Sequence, residues 1–505
     1  MNYLLSDSRS DERLNLSGAI QTSQPLSWGL WSITDFPQVT SEEIQHLAGK
    51  TYQEVALSIL LRFDFWVSWE ELKKIINDAY WEQWHRSEIT PVKQIWDTNL
   101  HSLHLWYGPT FAFKNVALEF LPRLLSVLTK WKIVNVLWAS SWDTINAAHS
   151  GVKWTNIRSV FMLPNVWPSH VQGLQAVNGI VDNPNALTLL ADKPFDPLQD
   201  IVKKVNGPEF VDFKKEHNIT SFNSINIARI LAQVVYYFRA YAELLKNWAI
   251  KNWDEVIFSV PSWNFWDALA WYYAKKMWLP IKKIVVATNE NDMLHKFFKT
   301  WIYEPPKRDW KDFVQVTNAP SMDIAKSSNF ERMLFDACWF DNARIKWFYD
   351  ELSKNGKFEV GTEILRKIQE TFISTTSTDT ERLNAIKEFW QEYNHWIDPH
   401  TASAVAPWLR YKQFGKKSGI DYHDFITFHS DTPVIFLETS HVAQFWAELR
   451  EKWIIVPWMD EFDETLNAMR QANPQEWRDY LRASWDFDET FARITEAITT
   501  ILPKK

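Results

Sequence analysis

The stretch VPSWNFWDALAW, residues 260–271, joins an apolar run to a helical pattern. The run, residues 256–260, is typical of a buried strand, and the apolar spacing after the loop predicts a helix. A loop of this kind points several backbone N–H groups at one place and favours a bound phosphate. Glycine is the usual residue there, because the backbone must approach its ligand closely and φ is often positive. The bulky Trp263 and Trp266 are therefore unexpected in this loop.

Apolar strands alternate with helical patterns on both sides of the loop. We predict strands at KIVNVLWAS (132–140), SVFMLP (159–164), EVIFSVPS (255–262), IKKIVVATN (281–289), TPVIFLETS (432–440) and KWIIVP (452–457). Buried parallel strands are nearly continuous apolar runs, and helices connect them. This alternation therefore predicts an α/β fold with a largely parallel sheet.

The chain divides into three predicted parts. Residues 1–100 form an N-terminal cap domain, with amphipathic helices at SEEIQHLAGKTYQEVALSILLRF (41–63) and SWEELKKIINDAYWEQW (68–84), each opened by a serine N-cap. Residues 101–240 form a first α/β domain, and residues 241–505 form a second. A helix-rich segment near 330–395 is predicted to be an insertion in the second domain.

The composition limits the class of protein. The net charge of −8 argues against a general nucleic-acid binder, which usually carries a basic excess. The single cysteine, Cys338, excludes an intrachain disulfide and a cysteine-rich zinc site, and favours a reducing compartment. The N-terminal residues lack a signal-peptide pattern and no apolar run reaches the length of a membrane span, so we expect a cytoplasmic protein. His101 and His104 have no evident third ligand, so we expect no metal.

The glycine and tryptophan counts are both abnormal. The chain holds 12 Gly and 31 Trp, whereas average usage would give roughly 35 Gly in a chain of this length. Several tryptophans also occupy places typical of glycine, at helix ends and after asparagine, where a positive φ is expected. These are Trp131, Trp248, Trp253, Trp278 and Trp453.

We hypothesise that many of these tryptophans are glycine in the natural protein. A stop codon that the source organism reads as glycine, translated with another code table, would produce this pattern. The alternative is a protein that is truly rich in tryptophan, such as one with a sugar-binding surface. Such a surface has no reason to place its tryptophans at helix C-termini.

Three loops carry candidate chemistry, and the second and third of them follow predicted strands. YGPTFAFKN (107–115) holds Lys114 among apolar residues, where it is either a surface lysine or a nucleophile with a lowered pKa. ASSWDTINAA (139–148) reads Ser-Ser-Gly-Asp-Thr when Trp142 is glycine, which suits an anion, although N-capping by Ser141 or Asp143 is the simpler role. With Trp263, Trp266 and Trp271 as glycine, the third loop becomes an anion cradle.

Together these loops resemble those of the threonine synthase family, which are pyridoxal-phosphate enzymes of fold type II, related to the tryptophan synthase β subunit. Five further stretches match in the same order, and the resemblance runs from roughly residue 20 to 455. They are NSINIARILAQ (223–233), ATNENDML (287–294), SMDIAKSSNFERML (321–334), IDPHTA (397–402) and ETSHVAQF (438–445). The resemblance implies two open parallel-sheet α/β domains with an N-terminal cap domain and a helical insertion.

The resemblance also assigns roles to residues. Lys114 is the implied catalytic lysine that holds pyridoxal 5'-phosphate, and Thr439 is expected at the pyridine nitrogen. The implied contacts of the cofactor phosphate are Ser262, Trp263, Asn264, Phe265 and Trp266. Ser141, Asp143 and Thr144 are expected at the substrate carboxylate, with the 3-hydroxyl side of the ring as the alternative for Asp143. The candidates for the substrate phosphate are Asn223, Asn226 and Arg229, although Arg229 could equally form a surface ion pair.

The implied reaction converts O-phospho-L-homoserine and water to L-threonine and phosphate, by elimination followed by addition of water at Cβ. The alternatives are another fold-type-II lyase, such as a phospholyase or a dehydratase, and a non-catalytic scaffold if the tryptophans are genuine. We expect a small-molecule substrate, no nucleic-acid or membrane partner, and a monomer or homodimer. A structural turn is the favoured role for Asp398 and His400. The chain departs from the family pattern at Tyr107, Asn115, Ile145, Ser440, Val442 and Gln444.

Overall fold

The computed structural model describes residues 4–96, 98–139, 142–164, 169, 171–173, 175–176, 183–191, 195–308, 311–414, 431–452 and 487–501. The strands are Leu4–Asp7, Arg13–Asn15, Trp31–Ser32, Val92–Gln94, Leu100–His104, Val134–Ala139, Ile157–Pro164, Ala186–Ala191, Ile219–Thr220, Val256–Pro261, Ile281–Thr288, Ile302–Tyr303, Lys307–Arg308, Lys311–Asp312, Phe358–Glu359, Phe372–Thr376 and Val434–Glu438. The α-helices are Leu16–Thr22, Ser41–His46, Tyr52–Leu60, Trp69–Ala79, Lys114–Leu128, Trp142–Val152, Phe195–Asn206, Val211–Glu216, Ile227–Lys246, Trp266–Lys276, Met293–Thr300, Phe330–Ala337, Asn342–Asn355, Thr362–Gln369, Asp379–Tyr393, Pro399–Phe414, Trp446–Glu451 and Phe487–Glu496.

Two sheets dominate the fold. The larger has six strands in the order Phe372–Thr376, Ile281–Thr288, Val256–Pro261, Val434–Glu438, Leu100–His104 and Val92–Gln94. Adjacent strands in this sheet are parallel, except that the edge strand Val92–Gln94 pairs antiparallel with Leu100–His104. The smaller has four parallel strands in the order Ala186–Ala191, Ile157–Pro164, Val134–Ala139 and Ile219–Thr220. Parallel strands surrounded by helices confirm the predicted α/β class with two open parallel sheets.

Five of the six predicted strands are present, and the predicted KWIIVP strand lies mostly outside the described residues. Five strands of the two main sheets were not predicted, namely Val92–Gln94, Leu100–His104, Ala186–Ala191, Ile219–Thr220 and Phe372–Thr376, and neither were the short strands outside these sheets. The predicted helix over 41–63 is wrong as a single element. Gly49 has a φ of 79° and ends the first helix region, and Thr51 starts a second helix with its own capping box. Thr40, rather than Ser41, caps the first helix, whereas Ser68 caps Trp69–Ala79 as predicted.

The three-part division of the chain stays a prediction. The strand Leu100–His104, at the boundary between the first two predicted domains, pairs in parallel with Val434–Glu438. The larger sheet therefore combines strands from residues 92–104 with strands from residues 256–438. The helix-rich segment near 330–395 also contributes the edge strand Phe372–Thr376 to this sheet.

One glycine sets the distance between the helices that carry Lys114 and Asp143. A Cβ atom on Gly151, in Trp142–Val152, would lie 1.8 Å from the Leu118 carbonyl oxygen in Lys114–Leu128. No real Cβ comes so close to a backbone oxygen, so only glycine allows these two helices to pack at this distance. The contact brings the helix that starts at Lys114 against the helix that carries Asp143.

Nine tryptophans of the described chain have positive φ angles. They include the four predicted to lie in glycine places that the structure describes, with φ of 60° at Trp131, 59° at Trp248, 76° at Trp253 and 77° at Trp278. The left-handed conformation costs an L-residue roughly 1–2 kcal/mol, and only glycine adopts it freely. Nine such residues would together cost about as much as the ~5–15 kcal/mol that holds a whole domain folded. The others are Trp28, Trp66, Trp96, Trp301 and Trp339.

Candidate active site

The loop before Lys114 is tied to the loop after Val434–Glu438. The Phe113 N–H donates to the Thr439 carbonyl at 2.8 Å, and the His441 N–H donates to the Phe111 carbonyl at 3.0 Å. Between them, Ala112 and Ser440 form an antiparallel bridge. Lys114 and Thr439, predicted from distant motifs, therefore meet at the carboxyl edge of the larger sheet, where ligands of α/β proteins bind.

Lys114 is buried at the start of its helix. Its side chain is 3% exposed, and its Nζ donates to Asp143 Oδ2 at 2.9 Å. The Nζ also lies 4.7 Å from the Phe113 ring centre and 5.2 Å from that of Trp263. Burial lowers the pKa of the Lys114 ammonium below its ordinary value, even though Asp143 opposes this change. A lowered pKa increases the fraction of the lysine that carries a free nitrogen lone pair, which nucleophilic chemistry requires.

Asp143 is the centre of a buried hydrogen-bond network. Its carboxylate accepts hydrogen bonds from Lys114, from the Ser321 hydroxyl at 2.6 Å and from the Gln172 side-chain amide. Burial alone would raise the pKa of this carboxyl, but Lys114, His400 and the Ser321 hydrogen bond outweigh burial and lower its pKa. Asp143 is therefore held as an anion, and the N-cap role that was its alternative does not describe these contacts.

The network continues to residues that sequence reasoning did not place in the site. The Ser321 N–H donates to His400 Nε2 at 3.1 Å, and His400 Nδ1 lies 2.8 Å from Asp398 Oδ1. Asp398 also accepts from the Thr401 hydroxyl, which in turn accepts from the Thr439 N–H at 3.3 Å. Asp398 and His400 thus form a local turn, as favoured from the sequence, but the same turn links Asp143 to Thr439. Its position in the IDPHTA motif was the only signal that pointed to it.

The candidate phosphate loop follows Val256–Pro261. The Ser262 N–H donates to the Ala287 carbonyl at 2.8 Å, so this amide is already engaged. The Ser262 hydroxyl is buried and has no partner among the described residues. The Asn264 side chain bridges the Ser224 hydroxyl at 2.8 Å and the Ser328 N–H at 2.7 Å. Phe265 has a φ of 62°, which is strained for a phenylalanine and is the kind of distortion found at binding sites.

Two indole rings lie inside this site. Trp266 is 4% exposed and its ring stacks on Phe113, with 4.9 Å between ring centres. The Arg229 guanidinium lies 4.5 Å from the centre of the same Trp266 ring. Trp263 contacts Phe113 edge to face at 6.1 Å and lies beside the Lys114 ammonium. The rings therefore occupy space between Lys114, the phosphate loop and Arg229.

Arg229 is the strongest candidate for an anion contact. It is 2% exposed, so the surface ion pair that the sequence left open is wrong. Its Nη1 donates to the Phe222 carbonyl at 3.0 Å, while its Nε has no partner and, among the described residues, no carboxylate pairs with it. Burial lowers the pKa of Arg229 to about 9. A buried guanidinium without a counter-ion suits a phosphate.

The other substrate candidates have defined local roles. Asn226 caps Ile227–Lys246 by accepting from the Ala228 N–H, and its amide donates to the Ile20 carbonyl at 2.9 Å. Asn223 is half-buried in the preceding turn. Thr144 is buried one residue after Asp143, and Ser141 lies outside the described residues.

Thr439 and Glu438 face different surroundings. The Thr439 hydroxyl is buried and has no partner among the described residues. Glu438 contacts His395, accepts from Trp106 Nε1 at 3.1 Å and lies 3.5 Å from His104 Nδ1. Burial would raise the pKa of Glu438, but the two histidines outweigh burial and hold this pKa well below its ordinary value. Within the part of the chain that the structure describes, His104, His395 and Glu438 are the one group whose ligand atoms, all within 4.8 Å, could hold a metal.

Comparison with known proteins agrees with this arrangement. The threonine synthase of Schizosaccharomyces pombe is 35% identical over 450 residues, which cover 83% of this chain and 82% of that protein. The chain belongs to the threonine synthase family. Another member, from Methylobacillus glycogenes, is 33% identical and covers 83% of this chain and 85% of its own length. No family model matches the chain.

Solved structures of the threonine synthase family match almost the whole fold. The PLP-bound threonine synthase from Brucella melitensis has a TM-score of 0.83 and 28% identity, covering 97% of this chain and 99% of that chain. The threonine synthase from yeast has a TM-score of 0.80 and 29% identity, covering 98% of each chain. Within the described residues, no helix is both long enough and apolar enough to span a membrane.

Proposed function

We propose that this chain is a threonine synthase, which converts O-phospho-L-homoserine and water to L-threonine and phosphate with pyridoxal 5'-phosphate. The single observation that carries the proposal is the buried contact of 2.9 Å between Lys114 and Asp143 in a member of the threonine synthase family. A buried lysine with a lowered pKa at the carboxyl edge of a parallel sheet is what covalent attachment to a carbonyl cofactor needs.

The buried polar groups fit pyridoxal phosphate, apart from two positions. Lys114 can hold its aldehyde carbon, and the unpartnered Thr439 hydroxyl is suited to a pyridine nitrogen. The unpartnered Ser262 hydroxyl, in a strand-to-helix loop, is suited to the phosphate. Trp263 and Trp266 do not fit, because their rings fill the space beside Lys114 and against Phe113.

The chain's own groups would divide the work as follows. Pyridoxal phosphate supplies an electron sink that eases removal of protons from a bound amino acid. The Lys114 amine would move protons at Cα and the neighbouring carbons of the substrate, a role that its lowered pKa favours. Arg229, with Asn223 and Asn226 beside it in sequence, binds the phosphate that leaves from Cγ. Asp143 keeps Lys114 in place, and Thr144 and Ser141 orient the substrate carboxylate.

We further propose a small-molecule substrate and a reducing compartment for this protein. The protein works on a small molecule rather than on nucleic acid, because its net charge is −8. Its single cysteine is buried, which favours a reducing compartment such as the cytoplasm. We propose a monomer or homodimer in which residues 1–100, 101–240 and 241–505 form the three parts.

The test is a product assay with O-phospho-L-homoserine and pyridoxal phosphate. We expect phosphate and L-threonine in equal amounts. Lys114→Ala should abolish both products, whereas Lys74→Ala, an exposed lysine on Trp69–Ala79, should leave the rate unchanged. A chain with glycine at 263 and 266 is assayed in parallel. Formation of a 2-oxo acid and ammonia in place of threonine would instead identify a lyase of the other type.

A further inference from the structure

We infer that glycine, not tryptophan, is the native residue at two kinds of place. The first is the exposed helix ends where the indole lies at positive φ, and the second is positions 263, 266 and 271, in the phosphate loop and the helix that follows it. At the helix ends, glycine supplies a backbone conformation. In the loop, it opens a binding site for the phosphate of a cofactor. The helix-end argument does not depend on the proposed reaction, because it concerns only the backbone.

Three tryptophans occupy the glycine position of a Schellman motif. After Trp266–Lys276, the Trp278 N–H donates to the Lys275 carbonyl at 2.9 Å and the Leu279 N–H donates to the Ala274 carbonyl at 3.0 Å. This pair of bonds defines the motif, and its left-handed residue is usually glycine because a Cβ there is strained. The same pair of bonds ends two other helices, at Trp248 and Trp339.

A real glycine in the same chain makes the comparison direct. Gly356 ends Asn342–Asn355 with a φ of 78°, and its N–H donates to the Leu352 carbonyl at 2.9 Å. Trp301 ends Met293–Thr300 with a φ of 57°, and its N–H donates to the Phe297 carbonyl at 2.8 Å. The two residues have the same role at a helix end, and only one of them is suited to it.

These tryptophans leave their large rings mostly in solvent, although the Trp96 Nε1 donates to the Tyr393 carbonyl at 2.8 Å. All nine with positive φ are exposed, from 41% at Trp28 to 91% at Trp248. Tryptophan normally buries its ring and satisfies its N–H. Trp31 and Trp84 do so, with rings at most 6% exposed and indole nitrogens that donate to Thr22 Oγ1 at 3.2 Å and to the Ala79 carbonyl at 2.9 Å. These two are the tryptophans that we expect to be native.

In and after the phosphate loop, tryptophans are also unsuited to their positions, but here their rings are largely buried. The Trp263 and Trp266 rings cover Lys114 and Arg229, the two cations that an anionic cofactor and substrate need. Trp271, one turn further along the same helix, buries its Nε1 without a hydrogen-bond partner among the described residues. Glycine at these positions would free both cations and remove an unsatisfied donor, which otherwise costs stability.

The decisive experiment is peptide mass spectrometry of the protein isolated from its native source, together with the gene sequence. We expect glycine masses at 248, 278, 339, 263, 266 and 271, and tryptophan masses at Trp31 and Trp84 in the same protein. We expect the first group to be encoded by a reassigned stop codon and the second by the ordinary tryptophan codon. Tryptophan masses at 248, 278 and 339 would overturn the inference, whatever the enzyme's activity.

A second experiment compares two recombinant chains, one as printed and one with glycine at these six positions. We expect the glycine chain to have a higher Tm and to show the absorbance of bound pyridoxal phosphate, with the printed chain binding it weakly or failing to fold. In the glycine chain, Trp84→Gly should lower the Tm, because that ring is buried. A printed chain with equal or higher Tm and equal cofactor binding would contradict the inference.

Discussion

The Lys114 ammonium lies 2.9 Å from Asp143 Oδ2, and both side chains are at most 3% exposed. The two residues come from different helices that Gly151 allows to pack closely. Each charge is thus the main compensation for burying the other. Replacing either residue alone therefore leaves a buried charge without its counter-ion.

Removing one partner of this pair should lower the free energy of unfolding more than removing both. Lys114→Met should lower the free energy of unfolding by about 3–5 kcal/mol, because a buried carboxylate is left without its cation. The double variant Lys114→Met, Asp143→Asn should recover much of this loss. Urea unfolding of the cofactor-free protein measures both, and strictly additive effects of the two single variants would show that the pair is not coupled.

Arg229→Ala should weaken binding of the phosphorylated substrate. A charge-assisted hydrogen bond is worth about 1.5–3 kcal/mol, so we expect KM for O-phospho-L-homoserine to rise by roughly 10- to 100-fold. Lys246→Ala is the control, because it removes an exposed cation at the end of the same helix. An unchanged KM and an unchanged inhibition by inorganic phosphate would remove Arg229 from the substrate site.

Gly151→Ala should destabilise the protein and disturb the Lys114–Asp143 contact. Its Cβ would meet the Leu118 carbonyl, so the two helices must move apart, at a cost of about 1–3 kcal/mol or more. Gly361→Ala is the matched control, since a Cβ there meets nothing within 4 Å. The Tm and the rate of threonine formation should both fall for Gly151→Ala only. Equal effects of the two variants would contradict the packing argument.

Stability should fall as the pH rises from about 4 to 6, in part because of Asp267. Burial raises the pKa of Asp267 from 3.8 to about 6, although Tyr236 and Tyr237 donate hydrogen bonds to its carboxyl. The folded protein therefore holds a proton that the unfolded chain has lost, so this group favours folding below its unfolded pKa and loses that contribution as the pH passes its folded pKa.

Asp267→Asn removes this titration and tests the assignment. The loss of stability between pH 4.5 and pH 7, measured by urea unfolding, should be smaller in the variant by roughly 2 kcal/mol. Asp78→Asn, on the exposed face of Trp69–Ala79, is the control. The same pH profile in the variant and in the parent protein would exclude Asp267 as the source.

Much of the fold and part of the site follow from local patterns. Strand Val256–Pro261 and helix Trp266–Lys276 were predicted from apolar periodicity, which depends only on neighbouring residues. Lys114 and Asp143 were identified by family resemblance within short motifs. The short strand Leu100–His104 was missed, because its two histidines and serine interrupt the apolar pattern. Burial in the centre of a sheet overrides such a preference.

The sequence alone determined the class of fold, the order of the motifs and the excess of tryptophan in places typical of glycine, because each depends on composition or on spacing along the chain. Only the tertiary structure decided that Ser321, His400 and Asp398 join Asp143 to Thr439, since these residues meet through folding across long separations. It also decided that Arg229 is buried and pairs with no carboxylate among the described residues. A helical pattern in the sequence shows which residues share a face of the helix, but it does not show which residues pack against that face. Contacts between distant segments depend on packing, and no local pattern encodes them.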